Sequence, residues 1–366
     1  MSDDLYIGLM SGTSADGVDA VLVQFIQHEP LRMRIIGHHS QSFSNDLRAS
    51  IHSFRTSGPN ELERLGHLDR QLGDIFAEVV NALLVQSGHD SADIRAIGSH
   101  GQTIRHQPTG THPFTVQIGD PNTIAERTGI TTVSDFRRRD VAAGGQGAPL
   151  VPAFHQALVS ATQKNTAIIN IGGIANITVL RSGDEPRGWD TGPGNNLMDG
   201  WIQRHKSARL DTDGAWAATG IINKTLLNTL LADDYFGRSA PKSTGPETFN
   251  LEWLDSFLSG EERPEDVQRT LIALTATTIA QALNAEGVEQ SFVCGGGAFN
   301  ALLTEELSQQ LDGSLRSTQE LGVHEQLMEA AAFAWLAAQR LASKPGNVPS
   351  ATGASGLRIL GAIYAP

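Results

Sequence analysis

Apolar positions recur along this chain with two distinct rhythms. Over residues 61–86, Leu62, Leu65, Leu68, Leu72, Ile75, Phe76, Val79 and Leu83 fall three or four positions apart, which lines one face of an α-helix. Residues 267–283 and 324–341 predict two further helices. Short apolar runs bounded by turn residues predict strands at 94–98, 114–118, 130–133 and 291–294. At the N-terminus an apolar run, the small-residue turn Ser11-Gly12-Thr13-Ser14-Ala15-Asp16-Gly17 and a second apolar run predict a hairpin. The pattern returns around Ile171-Gly172-Gly173-Ile174-Ala175-Asn176, with Gly172 lying 160 residues after Gly12. Strands alternating with helices, in two halves that open alike, predict a duplicated α/β fold with a central cleft between the halves. The boundary is expected near 160–164, giving domains 1–162 and 163–366, with the last helix able to pack back on the first domain.

Composition narrows the classes. The 366 residues carry 27 Lys+Arg against 40 Asp+Glu, a net charge of −13, and the densest basic run, Arg137-Arg138-Arg139, is followed at once by Asp140. A general nucleic-acid binder needs a basic stripe, so that class is excluded, although the triplet suits one small anion. At 40% hydrophobic the chain has material for a large core. Its 38 glycines cluster in short segments, as in loops built for close backbone approach. The single Cys294 forms no intrachain disulfide. The start lacks the pattern of a secretory signal and no apolar run approaches a membrane span, so the expectation is a soluble, cytoplasmic protein with no nucleic-acid or membrane partner.

The glycine segments carry the candidate chemistry. In the 12–17 tip, backbone N–H groups and the Thr13 and Ser14 hydroxyls can converge on an anion such as phosphate; an ordinary polar turn is the alternative. Gly172-Gly173 is a second candidate, against a β-bulge or tight packing. Asp190-Thr191-Gly192-Pro193-Gly194-Asn195 places a carboxylate at the entrance of a rigid loop ahead of a helix-like 196–205, where Asp190 can serve as general base or hold Mg2+, or cap a turn. Asp16 and Asp19 share that ambiguity, and Asp19 sits in an apolar strand where a charge must be paired or functional. Gly295-Gly296-Gly297 follows a strand and suits a nucleotide contact, but Asn300 stands where a Rossmann fingerprint requires glycine. The 137–139 arginines can grip a carboxylate in a bidentate pair or form a solvated ion-pair cluster. His100 reads as a histidine at a strand end, either structural or catalytic. Pro241 spoils a Walker A reading of Lys242-Ser243, and His100, His106 and His112 lack zinc-site spacing.

Taken in order, the segments are specific. Gly8-Leu9-Met10-Ser11-Gly12-Thr13-Ser14-Ala15-Asp16-Gly17-Val18-Asp19 is followed by Ser99-His100-Gly101-Gln102-Thr103, then by Asp135-Phe136-Arg137-Arg138-Arg139-Asp140 with Gly144-Gly145-Gln146-Gly147-Ala148-Pro149. After them come Asn170-Ile171-Gly172-Gly173, Asp190-Thr191-Gly192-Pro193-Gly194-Asn195, Pro241-Lys242-Ser243-Thr244-Gly245, Cys294-Gly295-Gly296-Gly297 and Thr352-Gly353-Ala354-Ser355. On these motifs, nearly the whole chain resembles the anhydro-N-acetylmuramic acid kinases of the sugar kinase/Hsp70/actin superfamily. The resemblance implies a two-domain actin-like (duplicated ribonuclease H-like) ATPase fold and a homodimer. It also implies an ATP- and Mg2+-dependent reaction in cell-wall recycling that opens 1,6-anhydro-N-acetylmuramic acid with water and phosphorylates O6. By the same resemblance Gly12 to Asp19 form the ATP phosphate loop, Gly172-Gly173 a second phosphate contact, Gly295-Gly296-Gly297 the nucleoside side, and Asp190 the catalytic base. Asp16 or Asp19 is assigned to Mg2+. Arg137, Arg138, Asp140 and Glu329 are candidate sugar contacts, with a solvated helix position the alternative for Glu329. Two rival readings stay open: another sugar or carboxylate kinase of the superfamily, and a nucleotide-gated binding protein of the Hsp70 or actin kind.

Overall fold

The apolar runs become strands in the computed structural model, which describes residues 4–159, 164–240 and 242–366. Most of the boundary expected at 160–164, and Pro241, lie outside the described residues. In chain order the strands are β1 (Asp4–Ser11), β2 (Gly17–His28), β3 (Leu31–Ser42), β4 (Ile94–Gln107), β5 (Phe114–Ile118), β6 (Thr132–Ser134), β7 (Thr166–Ile171), β8 (Ile174–Leu180), β9 (Arg187–Pro193), β10 (Gln290–Cys294), β11 (Ser314–Ser317) and β12 (Ala362–Tyr364). The chain divides into one unit of Met1–Ser160 with Leu327–Pro366 and a second unit of Ala161–Gln326.

The first unit's sheet runs β12-β6-β4-β1-β2-β3, with β5 beside β4. The second runs β11-β10-β7-β8-β9. In the first, β1 and β2 and then β2 and β3 pair antiparallel, while β4 lies parallel to β1 and β6 parallel to β4. In the second, β7 with β8 and β8 with β9 are antiparallel, while β10 is parallel to β7 and β11 to β10. The same topology is therefore written twice, as a duplicated α/β fold requires, and β1–β2 and β7–β8 are its corresponding hairpins.

Each third strand is followed by a long helix that covers the sheet. Helix Glu61–Ser87 buries Leu68, Leu72, Phe76, Val79 and Leu83, the positions set by its leucine spacing. Leu62, in its first turn, is instead 79% exposed. The helix stops at Gly88, whose left-handed backbone turns its N–H back to the Leu84 and Val85 carbonyls. Its counterpart, Pro264–Ala285, starts with Pro in the first turn beside Glu265 and Asp266, which favour a helix N-terminus, and buries Val267, Leu271, Leu274, Ile279 and Leu283.

The helix expected at 324–341 begins at Met328 and runs to Leu341, after a short 3-10 turn at Glu325–Leu327. It rests directly on the first sheet: a Cβ at Gly8 of β1 would overlap the Ala330 carbonyl, and one at Gly98 of β4 the Phe333 carbonyl. The second unit accordingly ends at Gln326 rather than at the C-terminus.

Candidate active site

The tip between β1 and β2 is held by its carbonyl oxygens. The Gly12 carbonyl accepts from the Ala15 N–H and Gln102 Nε2, each at 3.1 Å, and that of Thr13 from Arg55 Nη2 at 2.9 Å. His52 bonds the Ser14 backbone, Arg48 Nε reaches the Ala15 carbonyl at 3.4 Å, and the Phe43 N–H reaches that of Asp16 at 2.9 Å. Ser11 Oγ lies 2.7 Å from both the Gly17 carbonyl and Gln102 Oε1, its one proton serving either. With the carbonyls drawn inward, the N–H groups of Thr13 and Ser14 meet no protein acceptor among the described residues, and both residues are exposed. This is the polarity of an anion cradle. Ala15, buried at its apex, holds a left-handed φ of 54°, a strained setting of the kind kept at functional loops.

Arg48, His52 and Arg55 carried no motif, yet they brace this loop. Their spacing of four and three on the helix Asn45–His52 and its 3-10 extension Ser53–Arg55 was the available signal. Arg48 also ion-pairs with Asp16. Asp19 accepts from Ser40 Oγ through Oδ1 at 2.6 Å, and its charge is felt by Glu329. Hard carboxylate oxygens of this kind suit Mg2+ held partly through water and phosphate; Asp19 meets that description better than Asp16, whose carboxylate Arg48 engages. Among the described residues no group of three or more His, Cys, Asp or Glu comes together as a ready-made metal cage.

Behind the loop, β4 continues past the predicted strand to Gln107, so His100 and Gln102 are interior strand residues rather than strand-end ones. His100 is buried between Ser11 and Arg137: Nδ1 lies 3.2 Å from the Ser11 carbonyl, and Nε2 receives Arg137 Nε at 3.0 Å and Nη2 at 2.9 Å. Burial, then the Arg137 charge, holds its pKa well below the usual imidazole value. Arg137, in helix Phe136–Ala142, also donates Nη1 to the Gly147 carbonyl at 2.7 Å. Burial lowers its pKa to about 10, opposed by Glu329 and Asp140, so it remains a cation. Glu329 is part-buried, and its pKa is raised by burial and lowered by Arg137, which sets it apart from a solvated helix residue.

The other members of the arginine segment separate. Arg138 is exposed and pairs with Asp135 at 3.1 Å; Arg139 is exposed. Asp140, expected at the sugar, is fully enclosed. It accepts from the Gly147 N–H, Asn347 Nδ2 and Thr352 Oγ1, each at 2.8 Å. The Gln146 N–H reaches the Thr352 carbonyl at 2.7 Å, so the 144–149 loop and the 352–355 motif form one structure around this buried carboxylate.

In the second unit the three glycine segments differ in what the protein demands of them. A Cβ at Gly172 would meet nothing nearer than 3.5 Å, and at Gly173 nothing nearer than 3.7 Å. Tight packing therefore does not explain them. The same holds for Gly12 in the first unit, at 3.9 Å. By contrast Gly295, at φ 83°, lies against Asn170 Oδ1 and the Ile171 carbonyl, and Gly297 against the Ile171 side chain. The Gly172 and Gly173 carbonyls accept N–H groups from Gly194, Asn195 and Asn196 at the start of helix Asn195–Lys206, and Asn195 Nδ2 reaches the Ile171 carbonyl at 3.2 Å. Gly172-Gly173, Asn195 and Gly295 to Gly297 thus form one neighbourhood.

Asp190 lies on strand β9, not in a loop. Its register partner across β8 is Asn176. Its N–H donates to the Lys242 carbonyl at 3.0 Å, its carbonyl accepts from Tyr235 Oη at 2.7 Å, and Oδ2 accepts from the Thr244 N–H at 2.9 Å. Lys242 Nζ in turn anchors to the Tyr235 and Phe236 carbonyls. The Lys242-Ser243-Thr244-Gly245 segment therefore orients the carboxylate. Burial lifts the Asp190 pKa to about 6, against the Thr244 hydrogen bond and with help from Glu247, which suits a general base at neutral pH. Thr244 Oγ1 is a buried polar atom with no hydrogen-bond partner among the described residues.

The chain is 49% identical over 378 residues to the anhydro-N-acetylmuramic acid kinase of Saccharophagus degradans, covering 100% of each. It is 50% identical over 366 residues to that of Vibrio vulnificus, covering 99% of this chain and 98% of the relative, and 50% identical over 368 residues to that of Vibrio cholerae, covering 99% of each. Among solved structures it is similar to the (R)-2-hydroxyglutaryl-CoA dehydratase component A of Acidaminococcus fermentans, at 11% identity and a TM-score of 0.48 over 92% of this chain and 99% of the other. It is also similar to a ROK family glucokinase from Streptomyces griseus, at 12% identity and a TM-score of 0.38 over 90% and 99%. The family model described as anhydro-N-acetylmuramic acid kinase matches residues 4–366; the chain belongs to the anhydro-N-acetylmuramic acid kinase family.

Proposed function

We propose that the protein uses ATP and water to convert 1,6-anhydro-N-acetylmuramic acid to N-acetylmuramic acid 6-phosphate and ADP, with Asp190 as the base. The observation that carries the proposal is the Asp190 carboxylate, oriented by the Thr244 N–H and poised near pKa 6. An anhydro sugar has no free O6 hydroxyl to deprotonate, so the base acts on water. As water oxygen bonds to C1, Asp190 takes its proton, the C1–O6 bond breaks, and O6 attacks the γ-phosphorus with ADP leaving. The unpartnered Thr244 hydroxyl is suited to orient that water.

The Thr13 and Ser14 N–H groups serve one phosphate contact and Gly172-Gly173 the other, since neither turn needs its glycine for packing. Gly295 to Gly297 serve the nucleoside side. Bound Mg2+ would offset the polyphosphate charge, and Asp19 would hold it directly or through water. Arg137 receives the lactyl carboxylate of the sugar: two of its five N–H groups remain after His100 and Gly147 take theirs, and Glu329 stands close enough to complete a polar sugar site. Arg138 lies further out, and Asp140 acts by holding the Gly144 to Gly147 loop. A cytoplasmic homodimer working in cell-wall sugar recycling completes the reading, as the family resemblance implies; no helix among the described residues is long and apolar enough to cross a membrane.

The test is ADP release from purified protein with Mg2+-ATP, with and without the anhydro sugar, and mass spectrometry of the sugar. ADP formed only with sugar, and a product heavier by one water and one phosphoryl group, is the expected result. Asp190→Asn should fold and bind ATP but form no phosphorylated product; near-normal turnover in that variant overturns the base assignment.

A further inference from the structure

His100 has no proposed contact with either substrate, yet it is wedged between Arg137, proposed to meet the sugar, and Ser11, which precedes the proposed phosphate loop. It is buried, its ring lies 4.7 Å from that of Phe333, and its two nitrogens face partners of opposite character. The Ser11 carbonyl can only accept, so Nδ1 must carry the proton. Arg137 can only donate, so Nε2 must present its lone pair. The partners therefore fix one neutral tautomer. A protonated ring would turn an N–H toward the guanidinium and lose both contacts with Arg137.

We infer that His100 is a positioning residue that fastens the sugar-side cation Arg137 to the base of the phosphate loop, through Ser11 on one side and Arg137 on the other. Ser11 immediately precedes Gly12, and its hydroxyl is shared between Gln102 and the Gly17 carbonyl, so the His100 contact bears on the backbone that opens the cradle. On the far side, His100 takes the Nε and Nη2 edge of Arg137 while Gly147 takes Nη1. This leaves the guanidinium a single orientation in which its remaining N–H groups are presented. A bidentate carboxylate contact depends on the orientation of that planar fork as much as on its charge. The inference rests on the reading of Arg137 as the group that meets the sugar carboxylate.

Two substitutions separate the halves of the role. The amide nitrogen of Asn falls near the position of Nδ1, so His100→Asn keeps the donor to Ser11 and removes the acceptor for Arg137. The amide oxygen of Gln reaches the position of Nε2, so His100→Gln keeps the acceptor for Arg137 and removes the donor to Ser11. In steady-state kinetics His100→Asn should raise the sugar KM by roughly tenfold or more, as expected for loss of a hydrogen bond to a charged group, with the ATP KM nearly unchanged. His100→Gln should shift the ATP KM instead. In an Arg137→Ala background, His100→Asn should add little to the sugar KM. Equal effects on both substrates from both variants, or full additivity with Arg137→Ala, would mean a merely structural histidine and would overturn the proposal. If Arg137→Ala leaves the sugar KM unchanged, the reading of Arg137 itself fails, a result distinct from a normal sugar KM in His100→Asn beside a raised one in Arg137→Ala. Should the variants not fold, 15N NMR of the native imidazole decides: a neutral ring protonated at Nδ1 at pH 7 supports the inference, and an Nε2–H or doubly protonated ring refutes it.

Discussion

An aspartate whose pKa burial has raised to about 6 is ionised at neutral pH at the expense of the fold. The sign follows from linkage. The unfolded chain titrates near the ordinary aspartate value of 3.8, so stability held when both states are protonated is lost as pH rises from there through about 6. Asp190→Asn removes that penalty and keeps an acceptor for the Thr244 N–H. It should therefore be more stable than the native protein at pH 7, by up to ~3 kcal/mol, with a smaller gain at pH 5. Thermal melts at the two pH values check this; a destabilised variant at pH 7 would contradict it. With Asp190 as the proposed base, turnover should show the opposite face of the same titration, with kcat/KM falling about tenfold per pH unit below about 6. Burial raises Asp199 likewise to about 6, against Arg209 and with help from Asp211, so electrostatics alone does not single out Asp190; its anchoring by Lys242, Tyr235 and Thr244 is what supports the proposed base. Glycines divide in the same way. Gly12→Ala and Gly172→Ala should leave the melting temperature nearly unchanged and weaken ATP binding, because the protein has room for a methyl group there. Gly297→Ala, against Ile171, should cost ~1–3 kcal/mol by overpacking. Calorimetric titration with ATP beside thermal melts distinguishes the two classes. In the sequence these glycines are the same letter in similar contexts, and only the surroundings of each missing Cβ tell them apart.

At the level of elements, periodicity revealed what depends on one segment alone. The helix Glu61–Ser87 was legible because burial of one face repeats its leucine spacing. Strand β9 was not, since Asp190-Thr191-Gly192-Pro193-Gly194 has the residues of a turn. It forms at the edge of its sheet, where Pro193, its last residue, interrupts no further pairing. The bracing of the 12–17 tip by Arg48, His52 and Arg55 was equally hidden, because it is made by side chains reaching carbonyls that no residue type announces. The alanine-rich 328–341 segment read plainly as a helix able to return to the first domain, but the residues that seat it did not. That seat is made by Gly8 and Gly98, which let the helix backbone approach β1 and β4. Gly98→Ala would set a methyl group into the Phe333 carbonyl, and overpacking of this kind costs ~1–3 kcal/mol. Urea denaturation should show a lower midpoint for the variant, and an unchanged midpoint would mean that the helix is free to shift.

Across the whole molecule, duplication was visible as two glycine hairpins and a return of the last helix to the first domain was allowed for, but the point at which the chain returns was not legible. The second unit begins at Ala161 and ends at Gln326, after which the chain returns to the first. Nothing local in residues 327–366 marks that return; it follows from a surface of β1 and β4 that needs a helix to cover it. Among the described residues, the buried core of the second unit is drawn from Ala167 through Leu307, and the partly buried residues packed against it belong to the same unit. The sheet of the first has two covers: Ile7, Leu9 and Ile97 pack on the face of helix Glu61–Ser87, while Gly8 and Gly98, on the opposite face, seat the Met328–Leu341 helix. A unit with its own core unfolds as a unit. Residues 161–326 expressed alone should therefore be soluble and unfold cooperatively. Deletion of 327–366 from the full chain should leave the first unit without the second of these covers and binding a hydrophobic dye, while amides of β7 and β10 in the second stay protected from hydrogen exchange. Loss of protection in β7 and β10 on that deletion would show that the second unit's stability depends on the first, despite its self-contained core.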